Sequence, residues 1–203
     1  KYVSHEIYGG KKKLAGLPAT YTENEEEATS LDITLHDSVM DTDLVLTYSV
    51  YEDYPVVTRS ARLVQKGNQK IRLENVMSAA VEFPDMDYEM IHLSGAWARE
   101  RYVKTRKLEM GIQAVQSLAG TGSSSEQNPF IALKRPHTTE DTGEVFGFSF
   151  VYSGNFLAQV EVSTYEMTRV MMGINPQGFS WELSRDEEFQ TPEVVMVYSD
   201  KGL

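Results

Sequence analysis

"GFSFVYSGNFLAQVEV" (Gly147–Val162) carries the fold in miniature. Phe148, Phe150 and Tyr152 alternate with other residues, so three aromatic rings share one face of an extended strand. Phe156, Val160 and Val162 resume the same face after Ser153-Gly154-Asn155, a trio of turn formers. Two β-rich runs around a Gly-containing turn read as an antiparallel hairpin.

The same period recurs through the chain. Leu31, Ile33 and Leu35 share one face, as do Leu44, Leu46, Tyr48 and Val50. Ile71 with Leu73, Val81 with Phe83, and Phe179 with Trp181 and Leu183 repeat it. Val194 to Tyr198 is continuously apolar and reads as a strand buried on both faces. Lys66-Gly67-Asn68 reads as a second hairpin turn, and Asn175-Pro176-Gln177-Gly178 as a further turn. No amphipathic helix longer than two or three turns and no internal repeat is evident. The reading is all-β: antiparallel strands in two packed layers, forming one domain over 1–203.

A chain of 203 residues, 41% hydrophobic and 24% charged, has the composition of a globular protein with a sizeable core. No apolar run reaches the roughly 18–20 residues of a membrane-spanning helix. The net charge of −11 opposes binding to nucleic acid or anionic membrane, and favours a neutral or cationic ligand. Cysteine is absent, which excludes disulfides and thiolate metal sites and predicts a cytoplasmic protein. The first residue is Lys, so the chain is expected to be part of something longer.

Motifs for chemistry are sparse. His5, His36, His92 and His137 show no i, i+4 pairing and no HExxH, so no metal or other cofactor is expected. No GxSxG marks a nucleophile. Asp41 with Asp43 and Asp85 with Asp87 are spaced by two, about 6.5–7 Å apart if on a strand. That span suits a glycosidase pair, but thirty acidic residues make such spacings common, and Asp85 follows Pro84 in a turn-like setting. Glu23 to Glu27 (ENEEE) reads as a solvated loop. Ala119 to Asn128 (AGTGSSSEQN) lacks the spacing of a phosphate loop and precedes no predicted helix.

The two tryptophans differ. Trp181 alternates with Phe179 and Leu183 and reads as core. Trp97 lies between small residues, Gly95 and Ala96, and the charged run Arg99-Glu100-Arg101. One reading makes it a core residue at a strand end. The other makes it a sugar platform: the apolar C–H face of a pyranose lies flat on an indole, whose N–H donates to a hydroxyl.

Several blocks, in order, resemble bacterial α-galactosidases of glycoside hydrolase family 36: LPATY (Leu17–Tyr21), TRSARL (Thr58–Leu63), LSGAWARER (Leu93–Arg101) and NPFIAL (Asn128–Leu133). GFSFVYSGNFLAQVEV, GINPQGFSWEL (Gly173–Leu183) and FQTPEVVMVYSDKGL (Phe189–Leu203) continue the series. The resemblance implies the amino-terminal β-supersandwich of such an enzyme, of the galactose-mutarotase type, incomplete at its start. It also implies a catalytic (β/α)8 barrel beyond Leu203, whose two catalytic aspartates have no counterpart here. It implies α-galactosides as ligands, a homo-oligomer, typically a tetramer, in the whole enzyme, and a fragment that is inactive alone. Trp97 matches the tryptophan that contributes to the family's galactose pocket. Ser125-Glu126-Gln127 stands where relatives often carry histidines, so no His contact is transferred. A stand-alone carbohydrate-binding β-sandwich is the alternative. An aldose mutarotase using His92 is a third.

Overall fold

The computed structural model describes residues 1–120 and 123–203. Sixteen strands appear among them: β1 Tyr2–Gly9, β2 Ala28–Asp37, β3 Thr42–Tyr51, β4 Val56–Gln65, β5 Ile71–Leu73, β6 Met77–Phe83, β7 Glu89–Ala96 and β8 Arg99–Lys107. They continue with β9 Gly111–Ser117, β10 Gln127–Lys134, β11 Val145–Val151, β12 Phe156–Val162, β13 Thr168–Ile174, β14 Trp181–Leu183, β15 Glu188–Gln190 and β16 Glu193–Ser199. One helical turn, α1 (Ser123–Glu126), precedes β10.

The strands form a ten-stranded sheet in the order β1-β2-β3-β4-β16-β11-β10-β7-β8, with β15 also on β4. A four-stranded sheet, β6-β13-β12-β9, and a two-stranded ribbon, β14-β5, lie apart from it. All these pairings are antiparallel, as the all-β reading predicts. The core is the space between the large sheet and the four-stranded sheet. Phe148, Phe150, Ile131, Leu133, Met90 and Val194 from one layer meet Phe156, Ala158, Val160, Val162, Val170 and Met172 from the other. Removing each such side chain from water stabilises the fold by roughly 1.5–3 kcal/mol.

Two turns differ from the sequence reading. Ser153-Gly154-Asn155 closes no hairpin: β11 pairs with β10 and β16, and β12 with β13 and β9. The aromatic faces of both runs point into the same core from opposite layers, so the turn carries the chain across the sandwich. Gly154 is needed because Tyr152 folds over it; a Cβ would stand 2.5 Å from the ring. Lys66-Gly67-Asn68 likewise joins β4 to β5, which pairs with β14 instead. In both cases the partner strand lies far away in sequence.

Two burial expectations also change. β16 is buried at Val194, but Val197 and Tyr198 are about two-fifths exposed. Trp181 is half exposed: it sits on the short ribbon and touches Phe189, 5.4 Å between ring centroids.

The two layers are unequal. Tyr48 faces Arg59 and Arg59 faces Val194, so β1–β4 continue the core face of the large sheet. Beyond the four-stranded sheet that face remains apolar. Leu31, Ile33, Leu35, Leu44 and Leu46 are half-buried, and Ile7 and Val50 are exposed. A patch of this kind drives association. The isolated 203-residue chain is therefore expected to self-associate. Sedimentation velocity at high concentration checks this, and a clean monomer would contradict it.

Candidate functional site

Trp97 occupies the tip of the β7–β8 hairpin, where Ala96 pairs with Arg99 across a two-residue turn. The register shifts between Ser94 and Ala96, and Ala98 and Arg101 take left-handed conformations (φ 63° and 62°). Such conformations are unfavourable outside glycine and concentrate where a site needs a particular backbone course. Gly95 permits the close return of β8: a Cβ there would stand 2.3 Å from the Arg99 carbonyl oxygen and 2.8 Å from Glu100 Cα. Gly95→Ala is expected to splay the hairpin at a cost of about 1–3 kcal/mol. Hydrogen exchange should then quicken in β7–β8 and stay unchanged in β12.

The indole is 86% exposed, which excludes the core reading. An indole held out by a strained hairpin has a free face for an apolar C–H surface and a free N–H donor. Beside it, β8 is the edge of the large sheet and exposed throughout. It carries Arg99, Arg101, Lys104, Arg106 and Lys107 against one carboxylate, Glu100. Within a strongly acidic chain this is a local positive strip, and guanidinium and ammonium groups donate hydrogen bonds to hydroxyl oxygens.

The other sequence candidates hold structure. Asp85 accepts two hydrogen bonds from Arg135, at 2.6 and 3.2 Å, and Arg135 also binds Glu144 at 2.9 Å. The Arg135 bond holds the Asp85 carboxyl below the usual carboxylate range, against the opposing effect of burial. Asp43 meets His36 at 2.8 Å, and Asp41 lies in a turn with φ 51°. Neither acidic pair offers two free carboxylates for bond cleavage. His5 bonds Tyr2 at 2.6 Å. Among the described residues no three potential ligands gather around a metal position. His92 is buried, so it faces no sugar pocket as the mutarotase reading requires. Of the small-residue loop 119–128, positions 121 and 122 lie outside the described residues, and the single turn α1 follows them.

Two features escape the sequence reading. The first is a groove of about 740 Å³ on the opposite face of the large sheet, lined by Tyr21, Tyr51, Tyr54, Val56, Val151 and Val195 among others. Trp97 is not part of it. The second is the network that holds its wall. Lys11 and Glu193 form a fully buried ion pair. Glu193 Oε1 also accepts from Thr20 N at 2.9 Å and Thr20 Oγ1 at 2.8 Å. Lys11 Nζ donates to the Thr20 carbonyl at 2.9 Å, and Tyr51 donates to Thr20 Oγ1 at 2.9 Å. Lys11 is one of three consecutive lysines, and nothing local sets it apart.

Comparison with known proteins gives the family of the chain. The profile of the glycosyl hydrolase family 36 N-terminal domain matches residues 1–184. The chain is 54% identical over 203 residues to alpha-galactosidase AgaA of Geobacillus stearothermophilus, covering all of this chain and 28% of that protein. It is 44% identical over 202 residues to alpha-galactosidase 1 of Pediococcus pentosaceus, covering 100% and 27%. The crystal structure of the Geobacillus enzyme superposes with a TM-score of 0.97 at 53% identity, over 100% of this chain and 28% of the other. A variant of that enzyme has been crystallised with raffinose. The chain thus spans just over a quarter of the length of the relatives it matches.

Proposed function

The chain belongs to the glycosyl hydrolase family 36 N-terminal domain family, and from that premise we propose that it is the accessory amino-terminal domain of an α-galactosidase. The parent enzyme hydrolyses terminal α-galactosyl residues of melibiose- and raffinose-type oligosaccharides. The observation that carries this reading is the match to α-galactosidases along the full length of the chain.

In this reading Trp97 contacts the galactosyl ring and β8 forms part of the pocket rim. Bond cleavage belongs to two aspartates of the barrel: one forms the galactosyl-enzyme bond, and the other protonates the leaving oxygen. This chain supplies binding and shape. The exposed edge of β8 and the partly covered apolar face of β1–β4 support contact with the rest of the enzyme and with neighbouring subunits, in a cytoplasmic tetramer.

The test compares the polypeptide that carries this chain together with its barrel against the 203-residue chain alone. The longer protein is expected to release galactose from raffinose as the α-anomer, and the chain alone to release none. Absence of α-galactoside cleavage by the longer protein would sink the reading. Tight galactoside binding by the chain alone would favour an autonomous sugar-binding module.

A further inference from the structure

Beneath the Trp97 hairpin lies a histidine whose hydrogen bonding admits only one protonation state. His92 sits on β7 and is 2% exposed. Its Nε2 receives Arg106 Nε of β8 at 3.0 Å. A guanidinium donates and never accepts, so Nε2 must carry the lone pair. The neutral ring therefore bears its hydrogen on Nδ1, which is buried and meets no partner at full hydrogen-bond geometry. Gln127 approaches the ring from β10, opposite Ser94 of β7, and its Oε1 is equally buried and unpaired. The charged groups that bear on the imidazole are Arg106 and Lys104, both cationic and both on β8.

We propose that His92 is a positioning residue. Its neutral imidazole ties β8 to β7 through Arg106 and so holds Trp97 in place, and a proton on Nε2 breaks that tie. Protonation sets a ring N–H against the Arg106 N–H and places a buried imidazolium beside two cations. The proposal rests on Trp97 as the sugar contact for its consequence in the enzyme, but the tie itself is independent of any ligand.

Burial, followed by the Arg106 charge, holds the imidazole below its usual value of 6.5, with Gln127 pulling the other way. The sign follows by linkage. The open hairpin takes up the proton more readily than the closed one, so closure is favoured above 6.5 and weakens as the pH falls from there towards the lowered value. Acid therefore releases the hairpin.

The full polypeptide that carries this chain is labelled with 5-fluorotryptophan, and the fluorine resonance that disappears in Trp97→Phe is that of Trp97. In the parent chain the Trp97 resonance is expected to move with pH at a single midpoint below 6.5. His92→Gln keeps an acceptor for Arg106 and cannot titrate; its resonance should stay at the neutral position throughout. His92→Leu, which offers no acceptor, should hold the acid position even at neutral pH. A Trp97 resonance that ignores pH in the parent chain, or titrates identically in His92→Gln, would overturn the proposal. Failure of the sugar reading shows separately, as an unchanged KM and kcat on loss of Trp97.

Discussion

Trp97→Ala in the complete enzyme is expected to raise KM for a terminal α-galactoside about 30-fold, while kcat changes by less than about threefold. The residue stands at a hairpin tip with its indole in solvent, so truncating it leaves no core cavity. What is lost is an aromatic platform for the sugar, on the order of 2 kcal/mol for a central contact, or about a factor of 30 in affinity. A contact made equally in the ground and transition states lowers KM without raising kcat, so its removal acts on KM. Trp97→Phe, which keeps a ring but no N–H donor, should fall between. Steady-state kinetics on melibiose or raffinose measure all three proteins. An unchanged KM together with an unchanged kcat would remove Trp97 from the pocket. A collapsed kcat at constant KM would show instead that its contact forms only in the transition state.

The second large effect concerns stability. Lys11→Met is expected to destabilise the domain by about 3–5 kcal/mol, because it strands the Glu193 carboxylate in a site 2% exposed. For a domain of this size that corresponds to a fall in Tm of roughly 6–20 °C. Thr20 would keep its two bonds to Glu193, but two neutral donors do not replace an ammonium. The double variant Lys11→Met with Glu193→Met should recover most of the loss, since an apolar pair buries no charge. Thermal unfolding followed by circular dichroism separates the cases. If Lys11→Met melts with the parent, the pair contributes nothing. If the double variant melts as low as the single one, the loss comes from packing and not from the stranded charge.

Much of the fold was legible because strand identity is a local property. Alternation at Leu31–Leu35, Leu44–Val50 and Phe148–Phe150 placed strands where they occur, and the residues predicted to share a face do so. The hairpin reading of Ser153-Gly154-Asn155 failed because Ser, Gly and Asn favour any sharp reversal. They turn a chain back onto its own sheet or across to the opposite layer alike. Burial was legible for β12, sandwiched by its neighbours, and misleading for β16 and Trp181, where apolar composition met a sheet end and a short ribbon.

Of the candidate site, little beyond Trp97 and its neighbours could be read from the chain's residues alone. Small residues before the ring and charge after it marked a position without apolar company. Family membership was likewise readable, because the blocks recur in order along the chain. The remaining contacts are visible once the sheets are assembled. Lys11 meets Glu193 across 182 residues. His92 finds Arg106 fourteen residues away, on a strand whose pairing depends on the register of the whole hairpin. Long-range pairs of this kind follow from which strands adjoin and which face each turns inward. Period and composition say that a side chain points to one side of a strand; only the assembled sheet says what waits there.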